Sequence, residues 1–167
     1  MSAPSDRCRL GLEQLIYVSI DTRGVTNPIR AADILAEARR NNARDDITGV
    51  LTFTGGRFIQ ILEGATDRLE DLLARLAVDT RHSDLQILVR RDVPDRDFKG
   101  WDMVSPRLAC PQIERLNALL ERTPADLDAY VDVLAVAVHR QAGALAEYGY
   151  DPHPDPSEPR PETSAPI

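Results

Sequence analysis

Apolar residues recur along this chain with two different periods, and the changes between them mark out its elements. Over residues 12–20 the run Leu15-Ile16-Tyr17-Val18-Ser19-Ile20 is rich in β-favouring types, which predicts a strand with Leu15, Tyr17 and Ser19 on one face. Turn chemistry follows at Asp21-Thr22-Arg23-Gly24, and Asn27-Pro28 then supplies an N-cap and a first helical position. The helix it opens has an apolar stripe of Ile34, Leu35 and Ala38, with Arg30, Asp33, Glu37 and Arg40 outside the stripe. It runs out over residues 39–44, where cations and asparagines suit a helix C-terminus. A second strand over residues 46–54 and a third over 57–64 flank Gly55-Gly56, the signature of an antiparallel hairpin. In the third strand, alternation places Phe58, Gln60 and Leu62 on one face and Ile59, Ile61 and Glu63 on the other. Thr66 can then cap a helix whose Leu69, Leu72, Leu73 and Leu76 share one face, ending at Arg81-His82-Ser83. Residues 85–93 predict a fourth strand and residues 102–105 a short final one.

The order β-α-β-β-α-β-β predicts an α+β fold, a ferredoxin-like sandwich with an added strand and a C-terminal two-helix extension. In that extension, residues 111–122 carry Ile113, Leu116, Leu119 and Leu120, and Thr123-Pro124-Ala125-Asp126 restarts a helix running to about residue 148. Its run from Val133 to Val138 is apolar almost all round, so it packs on something from more than one side. The sheet face opposite the first two helices could provide that support, and so could a second subunit. The expected divisions are a flexible arm at 1–11, a folded domain at 12–108, the helical extension at 109–150 and a tail at 151–167. That tail holds six of the twelve prolines and few hydrophobics, so disorder is expected there.

Composition narrows the function classes. At 167 residues and 43% hydrophobic content the chain can build one domain with a real core. A formal net charge of -7 and the lack of a Lys/Arg block argue against nucleic-acid binding. No apolar run approaches the ~20 residues of a membrane span, and no basic stretch followed by an apolar one marks a signal peptide. Cys8 and Cys110 lie far apart and outside any metal-type spacing, so neither a disulfide nor a metal site is expected, and a cytoplasmic location is.

Candidate chemistry comes from polar groups on apolar faces. Gln60 sits between Phe58 and Leu62, Tyr17 lies on the first strand, and Asn42 ends the first helix. A buried amide left unpaired costs about 1–3 kcal/mol, so Gln60 needs a partner. In a ferredoxin-like sandwich the first and third strands are central neighbours, which lets Tyr17 and Gln60 touch. Two readings stay open on these residues alone: a heteroaromatic ligand held along its polar edge beneath the helices, or a Tyr–Gln pair satisfying itself in a ligand-free core.

Six stretches then add up to a resemblance: Leu15-Ile16-Tyr17-Val18-Ser19, Asn41-Asn42-Ala43-Arg44, Ile47-Thr48-Gly49-Val50-Leu51, Phe58-Ile59-Gln60-Ile61-Leu62-Glu63-Gly64, Asp79-Thr80-Arg81-His82, and Arg96-Asp97-Phe98-Lys99-Gly100-Trp101-Asp102-Met103. In this order and spacing the chain resembles the BLUF family, blue-light sensors that use FAD. The resemblance implies a non-covalent flavin between the two helices, FAD with FMN or riboflavin as alternatives. It implies that Gln60 bridges Tyr17 and the flavin N5/O4 edge while Asn42 meets the carbonyl and N3 edge. Ile34, Ala38, Leu51, Phe58 and Leu76 would wall the ring. Asp79, Arg81 and His82 match positions near the ribityl chain and phosphates, and Ser19 and Asn41 complete the implied cofactor-binding set. Trp101 and Met103 match the pair reported to exchange places beside the glutamine. Blandly read, Arg81 is a helix-terminal cation, His82 a capping residue and Trp101 core filler. One departure is visible: Ala38 stands where members often carry serine. His139 and His153 match nothing functional.

The implied activity is light sensing, not catalysis. Tyr17 would donate an electron, a proton would pass through Gln60, and the amide would rotate or tautomerise. Output would run through Trp101 and Met103 to the C-terminal helices and act in trans, in a homo-oligomer or on a separate protein partner that the sequence does not name. Nucleic-acid and membrane partners are not expected. The alternative is a flavin-free ferredoxin-like interaction module. An acylphosphatase-type enzyme on the same topology is a remote third, because nothing here forms a Gly-rich phosphate loop.

Overall fold

A computed structural model describes residues 11–23, 28–122 and 125–147. The elements are β1 (Leu12–Asp21), α1 (Pro28–Asp45), β2 (Thr48–Thr54), β3 (Arg57–Ala65), α2 (Thr66–Ala77), β4 (His82–Asp92), α3 (Cys110–Leu120) and α4 (Leu127–Glu147). The expected caps at Asn27 and Thr123, the first ten residues of the arm and the proline-rich tail lie outside the described residues.

The strands form one four-stranded sheet in the order β2-β3-β1-β4, and every neighbouring pair is antiparallel. This is the ferredoxin-like arrangement, with β1 and β3 at the centre and Tyr17 directly opposite Gln60. Both faces of the central strands are covered, which explains why residues 15–18 at the middle of β1 are apolar without alternation. On one face Leu15, Tyr17, Phe58 and Leu62 pack with Leu69, Leu72 and Leu73 of α2. Each such leucine contributes about 1.5–3 kcal/mol before chain entropy is counted. On the other face Ile16, Val18, Ile59 and Ile61 meet Leu116 and Leu119 of α3 and Tyr130, Leu134 and Val138 of α4. Of the two supports open to α4, the chain's own sheet provides one, with α3 packed in the same core, while Val136 of the apolar run stays exposed.

The hairpin turn requires its glycines, since Gly55 and Gly56 take φ of 57° and 76°, a region that strains residues with a Cβ. Gly49 answers a different demand. A Cβ there would stand 2.2 Å from the Ile61 carbonyl oxygen, so β2 can lie this close to β3 only with glycine at that position.

Several boundaries differ from expectation. The α2 helix stops at Ala77 instead of running to residues 81–83, and β4 begins at His82. A turn intervenes because the Asp79 carboxylate accepts the Arg81 backbone N–H at 2.9 Å and the Asp79 carbonyl accepts that of His82 at 3.2 Å. Thr66 is the first residue of α2 and not its cap, which is Ala65 without a side-chain bond. The α4 helix starts at Leu127, where the Asp126 carboxylate accepts the Ala129 N–H at 3.1 Å. The expected fifth strand shrinks to a single parallel bridge between Val50 and Val104. It is nonetheless firmly held: Gly49 N–H donates to the Trp101 carbonyl at 2.9 Å, Leu51 N–H to the Val104 carbonyl at 2.8 Å, and Val104 N–H to the Gly49 carbonyl at 3.1 Å. Residues 101–104 thus lie as a strap along the free edge of β2.

Candidate functional site

Between α1 and α2, above the centre of the sheet, lies a partly open cleft with a cavity volume of about 190 Å³. Its floor is built by the strands, where alternation turns Tyr17, Leu51 and Gln60 toward the helices. One wall comes from α1 through Ile34, Ala38, Asn41 and Asn42, and the other from α2 and the following turn through Leu76, Asp79, Arg81 and His82. Eleven of the fifteen residues expected to serve the site therefore line one cleft.

The other four are placed around it. Ser19 and Phe58 are buried and stand behind His82: the Ser19 hydroxyl is 2.9 Å from His82 Nδ1, and the Phe58 ring centre is 4.8 Å from the imidazole. Met103 is buried, its Sδ 3.5 Å from Gln60 Nε2. Trp101 is half-buried and packs against the core on the opposite face of the sheet. In this structure the methionine, not the tryptophan, neighbours the glutamine. Glu37, Leu72 and Arg75 also line the cleft and were missed. The legible signal was their position: Glu37 and Arg75 flank the wall residues Ala38 and Leu76.

The polar contacts have a definite direction. The Tyr17 hydroxyl donates to Gln60 Oε1. Burial, with a smaller contribution from the Asp79 charge, pushes the Tyr17 phenol well above its ordinary pKa, so it stays protonated and a donor. Gln60 Nε2 faces the Met103 thioether, which can only accept. The amide is thus oriented from both sides. Asn42, 2% exposed, donates from Nδ2 to the Asp102 carbonyl at 2.7 Å, and Arg39 Nε donates to the Met103 carbonyl at 2.8 Å. Through these two bonds α1 grips the strap.

The mouth carries charge. Arg81 donates from Nε to both Asp79 oxygens at 2.9 Å and from Nη2 to Asp79 Oδ2 at 2.5 Å. It also reaches across to α1, from Nη1 to Glu37 Oε2 at 2.7 Å and from Nη2 to Glu37 Oε1 at 3.3 Å. Since α2 has already ended, Arg81 is not a helix-terminal cation. His82 is not a helix cap either, because it opens β4. Burial lowers the His82 pKa against the opposing pull of Asp79.

These features define a class: a ferredoxin-like domain whose helix pair and central strands frame a slot with apolar walls and amide groups along one edge. The family model described as BLUF, sensors of blue light using FAD, matches residues 12–104, and the chain belongs to that family. It is a flavin-binding blue-light sensor domain. The photoactivated adenylate cyclase subunit beta of Euglena gracilis is 29% identical over 125 residues, 72% of this chain but 14% of that protein. The blue light- and temperature-regulated antirepressor BluF of Escherichia coli (strain K12) is 32% identical over 78 residues, covering 46% of this chain and 19% of that protein. The chain therefore spans only a minor part of these relatives. Among solved structures, the dark state of BlrB, a BLUF protein, superposes with a TM-score of 0.63 at 27% identity, over 75% of this chain and 96% of that one. A bacterial light-regulated adenylyl cyclase gives 0.55 at 28% identity, over 82% of this chain and 36% of that one. The BLUF domain is a sensor module.

The residues present fit a flavin. The inward stripe of α1, Ile34 and Ala38, remains only half-buried above the floor, as the wall of a slot for a flat ring would. Amides from Gln60 and Asn42 face the slot, and Arg75, on its wall, has a buried Nε with no hydrogen-bond partner among the described residues. Ala38 in place of serine removes one hydroxyl and leaves that wall intact. The Tyr17–Gln60 bond by itself would also suit a flavin-free core, and it is the family match over residues 12–104 that decides for the flavin. Among the described residues no helix is long and apolar enough to cross a membrane, and no metal-type cluster occurs.

Proposed function

We propose that Tyr17 and Gln60 are the light-responsive switch of this domain, and that their changed hydrogen bonding passes through Met103 and the strap to the C-terminal helices and a separate partner. When bound, the flavin supplies blue-light absorption and an electron-accepting ring. The chain's own part is to hold and move protons beside it. Gln60 Oε1 accepts from Tyr17 and Nε2 faces Met103 Sδ. Turning the amide end over would set Nε2 against the phenol oxygen and Oε1 against a sulfur with no proton to give. On these contacts the turned amide has lost one partner, so it lies higher in energy and reverts without a covalent step.

This single amide between a phenol and a thioether is the observation that carries the reading. Asn42 would hold the cofactor's polar edge, and Ile34, Leu51, Leu72 and Leu76 its ring. Met103 and Val104 are adjacent in the strap yet belong to cores on opposite faces of the sheet. A displacement at Met103 therefore reaches Val104 and the leucines of α3 packed with it, giving the output a two-state element to bias. The listener is a further copy of the chain, another protein, or both together. Gln60→Leu should leave a yellow protein without the light-induced red shift in its absorption spectrum. A shift that persisted in this variant would refute the assignment.

A further inference from the structure

The switch leaves unexplained why a glutamate from α1 reaches across the cleft mouth. Among the described residues Arg81 makes five side-chain hydrogen bonds, all to two carboxylates, Asp79 and Glu37. The other guanidinium on the cleft wall, Arg75, is paired with Asp45 at 2.6 Å. The cluster of Glu37, Asp79 and Arg81 thus sums to a formal charge of minus one at the place where a flavin's tail would leave the slot.

The two acids are not equivalent. Asp79 is built into its turn, since it also accepts the Arg81 backbone N–H at 2.9 Å. Its removal would undo the junction between α2 and β4. Glu37 comes from the opposite wall on a side chain 46% exposed, with water as a ready alternative partner. The hydrogen bond from Arg81 lowers the Glu37 pKa, which keeps the carboxylate charged near neutrality.

The geometry points to Glu37 as a specificity-determining residue for the flavin tail: it occupies the Arg81 guanidinium across the mouth, so a phosphate-bearing tail must displace it while a phosphate-free tail need not. This rests on the flavin-sensor reading. Phosphate is the better bidentate partner for arginine, so FMN and FAD still bind, but against the repulsion and lost pairing of one carboxylate.

The test is fluorescence titration of full-chain apoprotein, wild type and Glu37→Gln, with riboflavin, FMN and FAD at low and high salt. Glutamine keeps the size and the exposed helical position, and circular dichroism checks that the fold is retained. The affinity of FMN and FAD relative to riboflavin should rise about three- to fivefold in the variant at low ionic strength, and the gain should shrink as salt is added. Equal changes for all three flavins, or none, would overturn the inference and leave the sensor reading standing. Failure of the wild-type protein to bind any of the three would overturn the sensor reading, and this one with it.

Discussion

Glu63 is fully buried, and its carboxylate is held by four donors. Oε1 accepts from Gln14 Nε2 at 2.9 Å and from the Asp97 N–H at 2.8 Å. Oε2 accepts from the Thr48 hydroxyl at 2.9 Å and from the Phe98 N–H at 3.0 Å. The carboxylate thereby fastens the turn before the strap to the end of β3. Glu63→Gln preserves shape but converts one acceptor into an NH₂, so two donors must face a donor. If the NH₂ takes the Oε2 place, Thr48 can reverse its hydroxyl, but the Phe98 N–H is orphaned. If it takes the Oε1 place, the Asp97 N–H is orphaned and Gln14 must turn away. One buried N–H without a partner, together with the loss of charge assistance in the remaining bonds, costs about 2–4 kcal/mol. With a urea m-value of about 1–2 kcal/mol/M, the unfolding midpoint should fall by roughly 1–4 M at unchanged m. Equilibrium urea unfolding followed by circular dichroism reads this directly. A change below about 0.5 kcal/mol would show that the four bonds are not all made in solution and would refute the reasoning.

Much of the site was legible because strand alternation is a strict rule. Gln60 stood out as polar on an apolar face, Tyr17 followed from the central pairing, and Asn42 from the end of a helix whose stripe was clear. What pattern could not give were features fixed by one side chain or by tertiary competition. The Asp79 carboxylate ends α2 four residues early by capping a turn. The fifth strand becomes a strap because residues 101–104 are held by Arg39 and Asn42 as well as by β2. Glu37 was read as an exposed helical position, and it is half-exposed, but its length carries the carboxylate over the mouth. Whether α4 met the sheet or another subunit was undecidable from periodicity, which records that a face is buried and not by what.

Two further expectations follow from buried groups. Burial lowers the His82 pKa below its ordinary 6.5, with Ser19, Phe58, Asp79, Arg81 and Asp21 around the ring. The unfolded chain thus takes up this proton first as pH falls: His82 stabilises the fold fully above 6.5 and loses that contribution as pH drops through its lower folded value. Unfolding midpoints at several pH values between 7.5 and 5 should fall toward acid in the wild type and fall less in His82→Gln; identical slopes would remove the assignment. Tyr130 poses the opposite case, a residue whose chemistry the fold does not use. It is fully buried between α4 and the sheet, and burial pushes its phenol up to about 12 against the opposing charge of Arg57. Its hydroxyl has no partner among the described residues. The ring is what the core needs, so Tyr130→Phe keeps the packing and removes a polar atom that gains nothing in place of water. Stability should stay level or rise by up to about 1 kcal/mol, the reverse of the usual cost of trimming a core residue. A loss of 1 kcal/mol or more in urea unfolding would mean that the hydroxyl is hydrogen-bonded in solution, and that the seam between the sheet and α4 is a polar contact and not a dry one.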